Sequence, residues 1–323
     1  MNKGTILLVT LWILAILSLL AIGIGFRSSI ELKLTSYQTD SLKAYEIARA
    51  GVVKALNELQ NDDSPTIETL WACGIALEPD ETQAGKLQGI SVGEGRFDCF
   101  ITDLQRKVNL NTVPKEILKR MSPKITDEIA DNIRAWRGDS DISSDAINKD
   151  YPDKPYECKN APFNITEELL LVKDMPEDVF YGEEGIKNSI TVYGPQELKI
   201  NINTADEKAL DGLGLGQSSQ NIIGYRGGED MNIETREDNR AFTTLDEVKE
   251  YLKSAQGGGW DTIVLENLHL ENFVVFGSDY FEIRSTGALN APRKMRRTVT
   301  CVVKRTGAPA PPHKTQIIGW TEE

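Results

Sequence analysis

The hydrophobic pattern begins with an uncharged apolar run from Thr5 to Gly25. As a helix, these roughly 21 residues would be about 31 Å long, enough to span the hydrocarbon core of a membrane. The run is apolar on every face, which argues against the core helix of a soluble protein. A cleaved secretory signal is an alternative, because Ala21 and Gly23 resemble a signal-cleavage site, but such signals have a shorter apolar part. The pattern favours a membrane anchor, and Lys3 in front of it favours a cytoplasmic N-terminus.

Beyond the anchor, hydrophobic residues continue at steps of three and four, which is typical of one face of a helix. The chain has no proline before Pro65, so we predict a single helix of about 55 residues that enters a water-soluble part. Ile47 and Leu32 do not fit this face. The predicted inward-facing stripe consists of Ile30, Leu34, Tyr37, Ser41, Ala44, Tyr45, Ala48, Val52, Ala55, Leu56 and Leu59.

The middle of the chain contains a duplicated pattern. KVNLNT at 107–112 corresponds to KININT at 199–204, NIRAWRG at 132–138 to NIIGYRG at 221–227, and FNITEEL at 163–169 to FTTLDEV at 242–248. Thr204 and Thr244 each precede a glutamate by three residues, which predicts helix starts at both. Gly214 and Gly216 predict a tight turn between two helices. Each unit therefore resembles a helix-hairpin-helix module.

Strand-like runs flank this helical region. Phe97–Ile101, Tyr280–Arg284 and Arg297–Val303 are rich in β-branched and aromatic residues and partly alternate. We expect one sheet whose first strand precedes the helical region and whose last strands follow it. Cys99 and Cys301 both fall on such strands, where a disulfide between neighbours is one interpretation and a pair of buried free thiols is the other.

Composition limits the chemistry that the chain can perform. The net charge of −13 makes it a poor general binder of phosphate backbones, and its two histidines offer little for a zinc site or a Ser-His-Asp triad. No nucleophile or phosphate-binding loop stands out, so we predict no catalytic residues and no enzymatic activity. A membrane-tethered enzyme with a site invisible in the sequence is the remaining enzymatic alternative.

Asp139, Asp141 and Asp145 lie in one polar loop, and alternating carboxylates suit calcium. The EF-hand template fails, because Ser144 stands where glycine is needed and Asp150 where the bidentate glutamate is needed. A solvated acidic loop is the alternative. We therefore expect no required cofactor, with calcium as an optional ligand of these three aspartates.

Several segments resemble a known family. Lys3-Gly4 before an apolar helix resembles the short leader of prepilin-like proteins. SLKAYEIARAGVVKAL, KVNLNTVPKEIL, NAPFNITEELLLVKDM and KININTADEKAL resemble, in this order, segments of the general secretion pathway protein K family, the type II secretion minor pseudopilins K. The resemblance spans nearly the whole chain. It implies that a prepilin peptidase cuts between Gly4 and Thr5 and methylates Thr5. The fifth mature residue is then Val9, where most pilins carry glutamate and this branch does not.

The resemblance implies an α+β fold of the pilin type, with a long N-terminal helix and a small antiparallel sheet. This fold would carry a large all-helical insertion with two helix-hairpin-helix-like units. The expected organisation is a leader (1–4), a transmembrane part (5–26) and a soluble part (27–62) of the first helix, a pilin-like domain (63–104 and 269–306), an inserted helical domain (105–268) and a flexible tail (307–323).

The implied function is that of a minor pseudopilin at the tip of a type II secretion pseudopilus, in the bacterial inner membrane with the C-terminal domain in the periplasm. The expected partners are other minor pseudopilins, the major pseudopilin and the prepilin peptidase. Some members of the family bind calcium. The alternative is a membrane-anchored helix-hairpin-helix protein for DNA binding or uptake, but the second hairpin, LDGLGLGQSSQN, has no basic residue, and we expect no nucleic-acid partner.

Overall fold

The computed structural model describes residues 3–62, 87–142, 156–182, 185–228, 239–290, 294–306 and 311–323. The helices in these segments are α1 (Lys3–Gln60), α2 (Lys115–Met121), α3 (Asp127–Trp136), α4 (Glu177–Tyr181), α5 (Glu207–Gly212), α6 (Ser218–Arg226), α7 (Leu245–Lys253), α8 (Thr262–Asn267) and α9 (Leu270–Phe273). The strands are β1 (Ile90–Val92), β2 (Gly95–Asp103), β3 (Val108–Asn109), β4 (Ile190–Thr191), β5 (Ile200–Asn201), β6 (Val274–Val275), β7 (Tyr280–Leu289), β8 (Arg296–Thr306) and β9 (Lys314–Glu322).

Helix α1 is continuous over 58 residues, as the sequence predicts. At about 1.5 Å per residue it is about 87 Å long. The described side chains before Asp40 are exposed, and from Asp40 onward one face of the helix is buried. The helix therefore has two parts, a free rod and a part that packs on the rest of the protein.

The packed part of α1 lies on a five-stranded antiparallel sheet with the order β1-β2-β7-β8-β9. Small residues allow helix and sheet to approach closely. A Cβ atom on Gly287 of β7 would lie 2.2 Å from the carbonyl oxygen of Ala44, and one on Gly51 of α1 would lie 2.2 Å from Ser285 Oγ. Any larger side chain at these glycines would push the helix off the sheet.

The predicted flexible tail over 307–323 is wrong for most of its length. Lys314–Glu322 forms strand β9, which pairs antiparallel with β8 along the edge of the sheet. Gln60 at the end of α1 donates a hydrogen bond to Thr315 Oγ1 (2.8 Å), and its carbonyl accepts one from the His313 amide (2.8 Å). The expectation of a flexible tail rests on Pro309, Pro311 and Pro312, and the strand begins directly after this proline-rich part. Residues 307–310 lie outside the described part.

The insertion connects β2 to β7, and its own core is separate from the core beneath α1. Its described residues form short helices, connecting loops and two short parallel strand pairs, β3 with β4 and β5 with β6. Because Val274 of β6 pairs with Ile200, the insertion extends beyond Leu268. The insertion therefore ends later in the chain than the expected boundary between residues 268 and 269.

The repeated asparagines hold the two halves of the insertion in the same way. The Asn111 side chain accepts a hydrogen bond from the Phe163 amide (2.7 Å) and donates to the Phe163 carbonyl (3.1 Å). The Asn203 side chain accepts from the Phe242 amide (2.8 Å) and donates to its carbonyl (2.9 Å). Each asparagine side chain thus makes the two hydrogen bonds that a neighbouring strand would make, with the backbone of a segment that is distant in the chain.

The repeated arginines complete each half. Arg137 and Arg226 each reach back from the end of a helix to two carbonyl groups in the loop that follows the first short strand. The acceptors are Leu110 (2.9 Å) and Val113 (2.8 Å) for Arg137, and Ile202 (3.1 Å) and Ala205 (2.8 Å) for Arg226. The halves meet through α2 and α5, where a Cβ on Gly212 would lie 3.1 Å from Ile117 Cγ2 and from Met121 Cγ. The duplicated sequence therefore encodes a duplicated, mutually packed scaffold.

The two predicted helix starts have different outcomes. Thr244 caps α7 by accepting a hydrogen bond from the Glu247 amide (3.3 Å), as predicted. The prediction for Thr204 is wrong, because α5 begins after Asp206, whose side chain accepts from the Ala209 amide (2.8 Å). The Thr204 hydroxyl donates instead to the buried carboxylate of Asp103, where the insertion meets the sheet.

Candidate assembly surface

The exposed part of α1 is the most unusual surface of the molecule. Its large hydrophobic side chains from Ile6 to Phe26 are all about half or more exposed, whereas water-soluble surfaces rarely carry large contiguous apolar patches. Within the described part of the chain, α1 is the one helix long and apolar enough to cross a membrane. An apolar surface of this length is suited to contact with lipid or with other apolar helices.

The residues expected to be processed lie at the start of this rod. Gly4 is in the first turn of α1 and is exposed, and Val9 is 54% exposed one turn further on. The Thr5 side chain lies outside the described part. Cleavage between Gly4 and Thr5 stays a prediction.

The predicted stripe on α1 is correct only in its upper part. Ala44, Ala48, Val52, Ala55 and Leu59 are buried against the sheet. The sheet reaches down only to about Asp40. The residues of the lower stripe are therefore exposed, namely Ile30, Leu34 and Tyr37. The face that packs on the sheet therefore continues below it as an uncovered apolar stripe. Ile47, which the periodicity left out, is buried.

Polar contacts fix β9 to the flank of α1. Tyr45 of α1 donates a hydrogen bond to Glu322 Oε1 (2.8 Å), and Trp320 Nε1 donates to the same oxygen (2.9 Å). These hydrogen bonds lower the pKa of Glu322, and the Glu322 acceptor raises the pKa of Tyr45. The carboxylate thus satisfies the polar ends of two aromatic side chains whose rings remain available at the surface.

The lower end of the sheet is also held against α1. Arg297, near the start of β8, donates a hydrogen bond from Nε to Ser41 Oγ (2.7 Å). On the opposite flank, Lys43 forms an ion pair with Glu94 (2.7 Å) beside an apolar groove of about 410 Å³. The sheet is therefore fixed on both sides of the helix at the point where the free rod begins.

A fully buried carboxylate joins the sheet to the insertion. Asp103, the last residue of β2, accepts hydrogen bonds from Thr204 Oγ1 (2.6 Å), Ser278 Oγ (2.7 Å) and Asn201 Nδ2 (3.1 Å). Its other oxygen accepts from the Gln105 amide (2.7 Å). Burial raises the pKa of Asp103, although the four donors oppose this effect. Sequence reasoning missed this cluster, because its members are up to 175 residues apart.

A second buried contact fixes the end of α1 to the same junction. The Arg305 guanidinium of β8 forms an ion pair with Asp62, and its other nitrogen donates to the carbonyl oxygen of Ser278 (2.7 Å). Arg305 also lies 4.8 Å from the centre of the Phe281 ring. Through these contacts α1, the sheet and the insertion form one continuous structure.

Two amides of the second hairpin are used within the turn itself. The amides of Gly214 and Leu215 donate to the carbonyls of Asp211 (2.8 Å) and Leu210 (3.3 Å), so they are not available to an incoming phosphate. A Cβ at Gly214 would lie 2.9 Å from Leu268 Cδ2, which places this turn against the protein. The geometry therefore gives no support to the DNA-binding alternative.

The aspartates expected to hold calcium contact arginines. Asp139 receives hydrogen bonds from Arg137 (2.6 and 2.7 Å) and Arg134 (2.9 Å), and Asp141 receives two from Arg134 (2.8 and 2.6 Å). These arginines lower the pKa of both carboxyl groups, although partial burial of Asp139 opposes the effect there. Asp145 lies outside the described residues. Among described residues no group of three acidic, histidine or cysteine side chains is placed to hold a metal ion.

Of the two interpretations of Cys99 and Cys301, the disulfide is the one that the structure contradicts. Cys99 and Cys301 are both buried free thiols. Cys99 lies on β2 and Cys301 on β8, and β7 runs between these strands. With neighbouring strands about 4.8 Å apart, the two backbones are about 10 Å apart, too far for a disulfide. Burial raises the pKa of each thiol to about 12, which makes both unreactive. The alternative of buried thiols is correct for this pair.

Comparison with known proteins supports the fold. No family model matches the chain, and no curated protein sequence matches it. It is similar to a chain of the crystal structure of the GspK-GspI-GspJ complex from the enterotoxigenic Escherichia coli type 2 secretion system, with a TM-score of 0.62 and 16% sequence identity. The similarity covers 90% of this chain and 99% of that chain. The α+β, pilin-like fold expected from the sequence is therefore confirmed.

Proposed function

We propose that this chain is a minor pseudopilin of a type II secretion system. The observation that carries the proposal is the two-part helix α1, whose lower part is an exposed apolar rod and whose upper part packs on a pilin-like sheet. Such a rod is suited first to a membrane and then to lateral packing beside similar helices. The rod belongs in the bacterial inner membrane, with the sheet and the insertion on the periplasmic side.

The proposed partners are other pilin-like subunits. The similar solved structure is, by its name, a complex of GspK with GspI and GspJ. By analogy, this chain assembles with other minor pseudopilins and with the major pseudopilin, after a prepilin peptidase removes residues 1–4. Its role is structural and not enzymatic. DNA uptake is the less supported alternative, because the second hairpin has no basic residue and its Gly214 turn packs on Leu268.

Two features support the proposal that this chain lies at the tip of the pseudopilus. Among packed apolar helices, a glutamate at position 9 would cost roughly 2.5–3.5 kcal/mol without a partner, by analogy with a charge at a bilayer centre. A neighbouring N-terminal amine would provide that partner, and a subunit with nothing above it lacks one. Val9 removes the cost. The insertion between β2 and β7 adds bulk that would obstruct a further subunit.

The direct test is mass spectrometry of the mature N-terminus, purified from native membranes. We expect a chain that begins at a methylated Thr5, and we expect the Gly4→Asp variant to remain uncut. Gly23→Ala is the matched control, because Gly23 lies on the same rod away from the cleavage site. A native chain that keeps Met1, or that begins beyond residue 20, would contradict the proposal.

The tip position predicts a specific result for Val9→Glu. Because the tip subunit has no amine above it to pair with the new carboxylate, secretion should fall or stay unchanged, measured as exported protein per cell. Val9→Ala is the control for loss of side-chain volume. A clear gain of secretion with glutamate at position 9 would show that a partner amine exists, and it would contradict the tip position.

A further inference from the structure

We infer that the lower end of the sheet rests on the anionic phospholipid headgroups of the membrane that holds the rod, with α1 leaning towards its sheet side. This inference rests on the membrane anchor in the proposed function. The surface concerned is a basic edge, formed by Arg96 on β2, Lys294 just before β8 and Arg296 on β8.

The order of contacts along α1 shows that the basic edge faces the rod. Ser41, near the start of the packed part of α1, receives the hydrogen bond from Arg297, the neighbour of Arg296. Gln60, at the upper end of α1, contacts Thr315 (2.8 Å), and the insertion leaves the sheet at that upper end. The basic edge is therefore the part of the sheet nearest to the membrane.

The side chains of the basic edge are exposed and lie close together. Arg96 is paired with Ala288, and Ala288 is paired with Arg296. Because paired residues point to the same face, the two arginines flank a small side chain on the outer face, with their backbones about 10 Å apart. Lys294 lies two residues before Arg296. Guanidinium groups bind phosphate oxygens with paired hydrogen bonds, so this surface is suited to lipid phosphates.

The charges at this end of the sheet are unevenly matched. Within the described part of the chain, none of the three side chains of the basic edge forms an ion pair. The nearby carboxylates do have partners: Glu94 pairs with Lys43 (2.7 Å), Glu322 accepts from Tyr45 (2.8 Å), and Glu323 lies 4.0 Å from Arg284. In a chain of net charge −13, a basic edge without its own counter-charges is suited to an external anionic surface.

The uncovered stripe of α1 makes the same side of the molecule apolar below the sheet. Ile30, Leu34 and Tyr37 are 49%, 56% and 70% exposed, and steps of three and four place them on the helix face that carries Ala44 against the sheet. An amphipathic helical segment is suited to lie on a membrane surface with its apolar side inward. If α1 leans towards the sheet, the stripe enters the membrane interface and the basic edge descends to the headgroups at the same time.

An upright α1 would not bring the basic edge to the membrane. From Phe26 to Ser41 the helix rises about 22 Å, whereas the headgroup layer adds only about 5–8 Å to each side of the hydrocarbon core. The remaining gap of about 15 Å is nearly twice the Debye length of about 8 Å at physiological ionic strength. Membrane helices tilt by up to about 40°, and the sheet lies on the side of α1 that such a tilt lowers. Contact with anionic lipid therefore requires the lean that the stripe favours.

The first test places a photo-crosslinking residue at position 290 of the full chain, an exposed position where the Asn290 amide bonds the Glu94 carbonyl. In vesicles of phosphatidylethanolamine and phosphatidylglycerol we expect at least fivefold more covalent lipid adducts, detected by mass spectrometry, than in vesicles of phosphatidylcholine. Position 263, exposed on α8 in the insertion, is the control and should give few adducts in either. Equal yields in the two lipids, or no excess over position 263, would overturn the inference.

The second test reverses charges while the crosslinker stays at position 290. Arg96→Glu/Arg296→Glu should lower the yield of lipid adducts in the anionic vesicles at least fivefold. Lys187→Glu/Lys253→Glu changes the net charge equally at exposed positions of the insertion and should leave the yield unchanged. Equal losses would mean that overall charge alone matters, and no loss in the first variant would mean that the basic edge does not bind lipid; either result overturns the inference.

The third test compares two faces of α1. Leu34→Asn changes the stripe, and Leu32→Asn makes the same change on the opposite side of the helix, where the leucine is 72% exposed. We expect the yield of lipid adducts at position 290 to fall at least threefold for Leu34→Asn and to change little for Leu32→Asn. Equal effects of the two variants would contradict the lean towards the sheet.

Extraction of the membranes with alkaline carbonate distinguishes the two proposals. The unmodified chain and all of these variants should resist extraction, because the apolar rod alone holds them. Few lipid adducts at position 290 in a chain that resists extraction would overturn this inference and leave the proposed function standing. Release of the unmodified chain by carbonate would remove the membrane anchor, and both proposals would fail.

Discussion

The two halves of the insertion use the same two side chains in different surroundings. In the first half, Asn111 is half-buried and Arg137 also pairs with a carboxylate, Asp139. In the second half, Asn203 and Arg226 are buried, and burial lowers the pKa of Arg226 to about 9. A repeated motif therefore gives the same local geometry twice, whereas its contribution to stability depends on what surrounds it.

The reason for the difference is the position of the second half against the sheet. Its first short strand and the loop that follows supply Asn201 and Thr204 to the buried Asp103 carboxylate. The corresponding residues of the first half, Asn109 and Thr112, have no such carboxylate between them among the described contacts. The junction thus makes one copy of the motif central to the whole fold, and the following substitutions test this by unfolding the detergent-solubilised full chain in urea.

Asp103→Ala should have the largest effect. It leaves several buried donors without an acceptor at once, and we expect a loss of about 3 kcal/mol or more in the free energy of unfolding. The control is Asp127→Ala in the first half, where the carboxylate is exposed and pairs with Lys119 (2.8 Å). We expect little change there. Similar losses for both variants would mean that the junction has no special importance.

The paired asparagines should show an intermediate difference. Asn203→Ala removes two buried hydrogen bonds to Phe242, and we expect a loss of about 3 kcal/mol because water cannot replace them. Asn111→Ala should lose about 1–2 kcal/mol, because water can reach the half-buried site. The measurement is again the shift of the urea midpoint. A larger loss of unfolding free energy for Asn111→Ala than for Asn203→Ala would contradict this prediction.

The paired threonines should show a smaller difference. Thr204→Val removes the hydroxyl bonded to Asp103, and we expect a loss of about 1–2 kcal/mol. The Thr112 hydroxyl is buried and makes no hydrogen bond in the described structure, so Thr112→Val should be neutral or slightly stabilising. Equal losses at both threonines would show that Thr112 has a partner in solution.

The smallest expected effect is a pH dependence. Burial raises the pKa of Asp103 in the folded state above its value in the unfolded chain, so the folded state binds more protons between these two values. Relative to Asp103→Asn, the unmodified chain should therefore lose stability as the pH rises through this window and regain it as the pH falls. A difference between the two that does not vary with pH would mean that the Asp103 pKa is not raised.

Local patterns in the sequence predicted much of this architecture. The unbroken run without proline gave the whole of α1, and the threefold correspondence of segments gave the two halves of the insertion. The strand-like runs around Cys99 and Cys301 correctly placed the sheet on both sides of the insertion. Each of these predictions rests on residues that are close together in the sequence.

What the sequence could not predict depends on contacts between distant segments. The order of strands places β7 between β2 and β8, and this order decides that Cys99 and Cys301 do not meet. Ile47 is buried because the β1–β2 hairpin reaches that side of α1, where Gly95 allows Ile47 to approach closely. In the sequence, Asp103 is an ordinary polar residue at the end of a strand. Only the fold brings Ser278 and Thr204 into contact with it.

The entry and exit of the insertion lie side by side. The chain leaves the sheet after Asp103 and returns to it at Tyr280, and Asp103 is paired directly with Phe281. A tight turn could therefore connect these two strands as an ordinary hairpin. In a design sense the protein is a small pilin-type base with an inserted head, and any other head would have to supply new donors to the Asp103 carboxylate that Thr204 and Ser278 now satisfy.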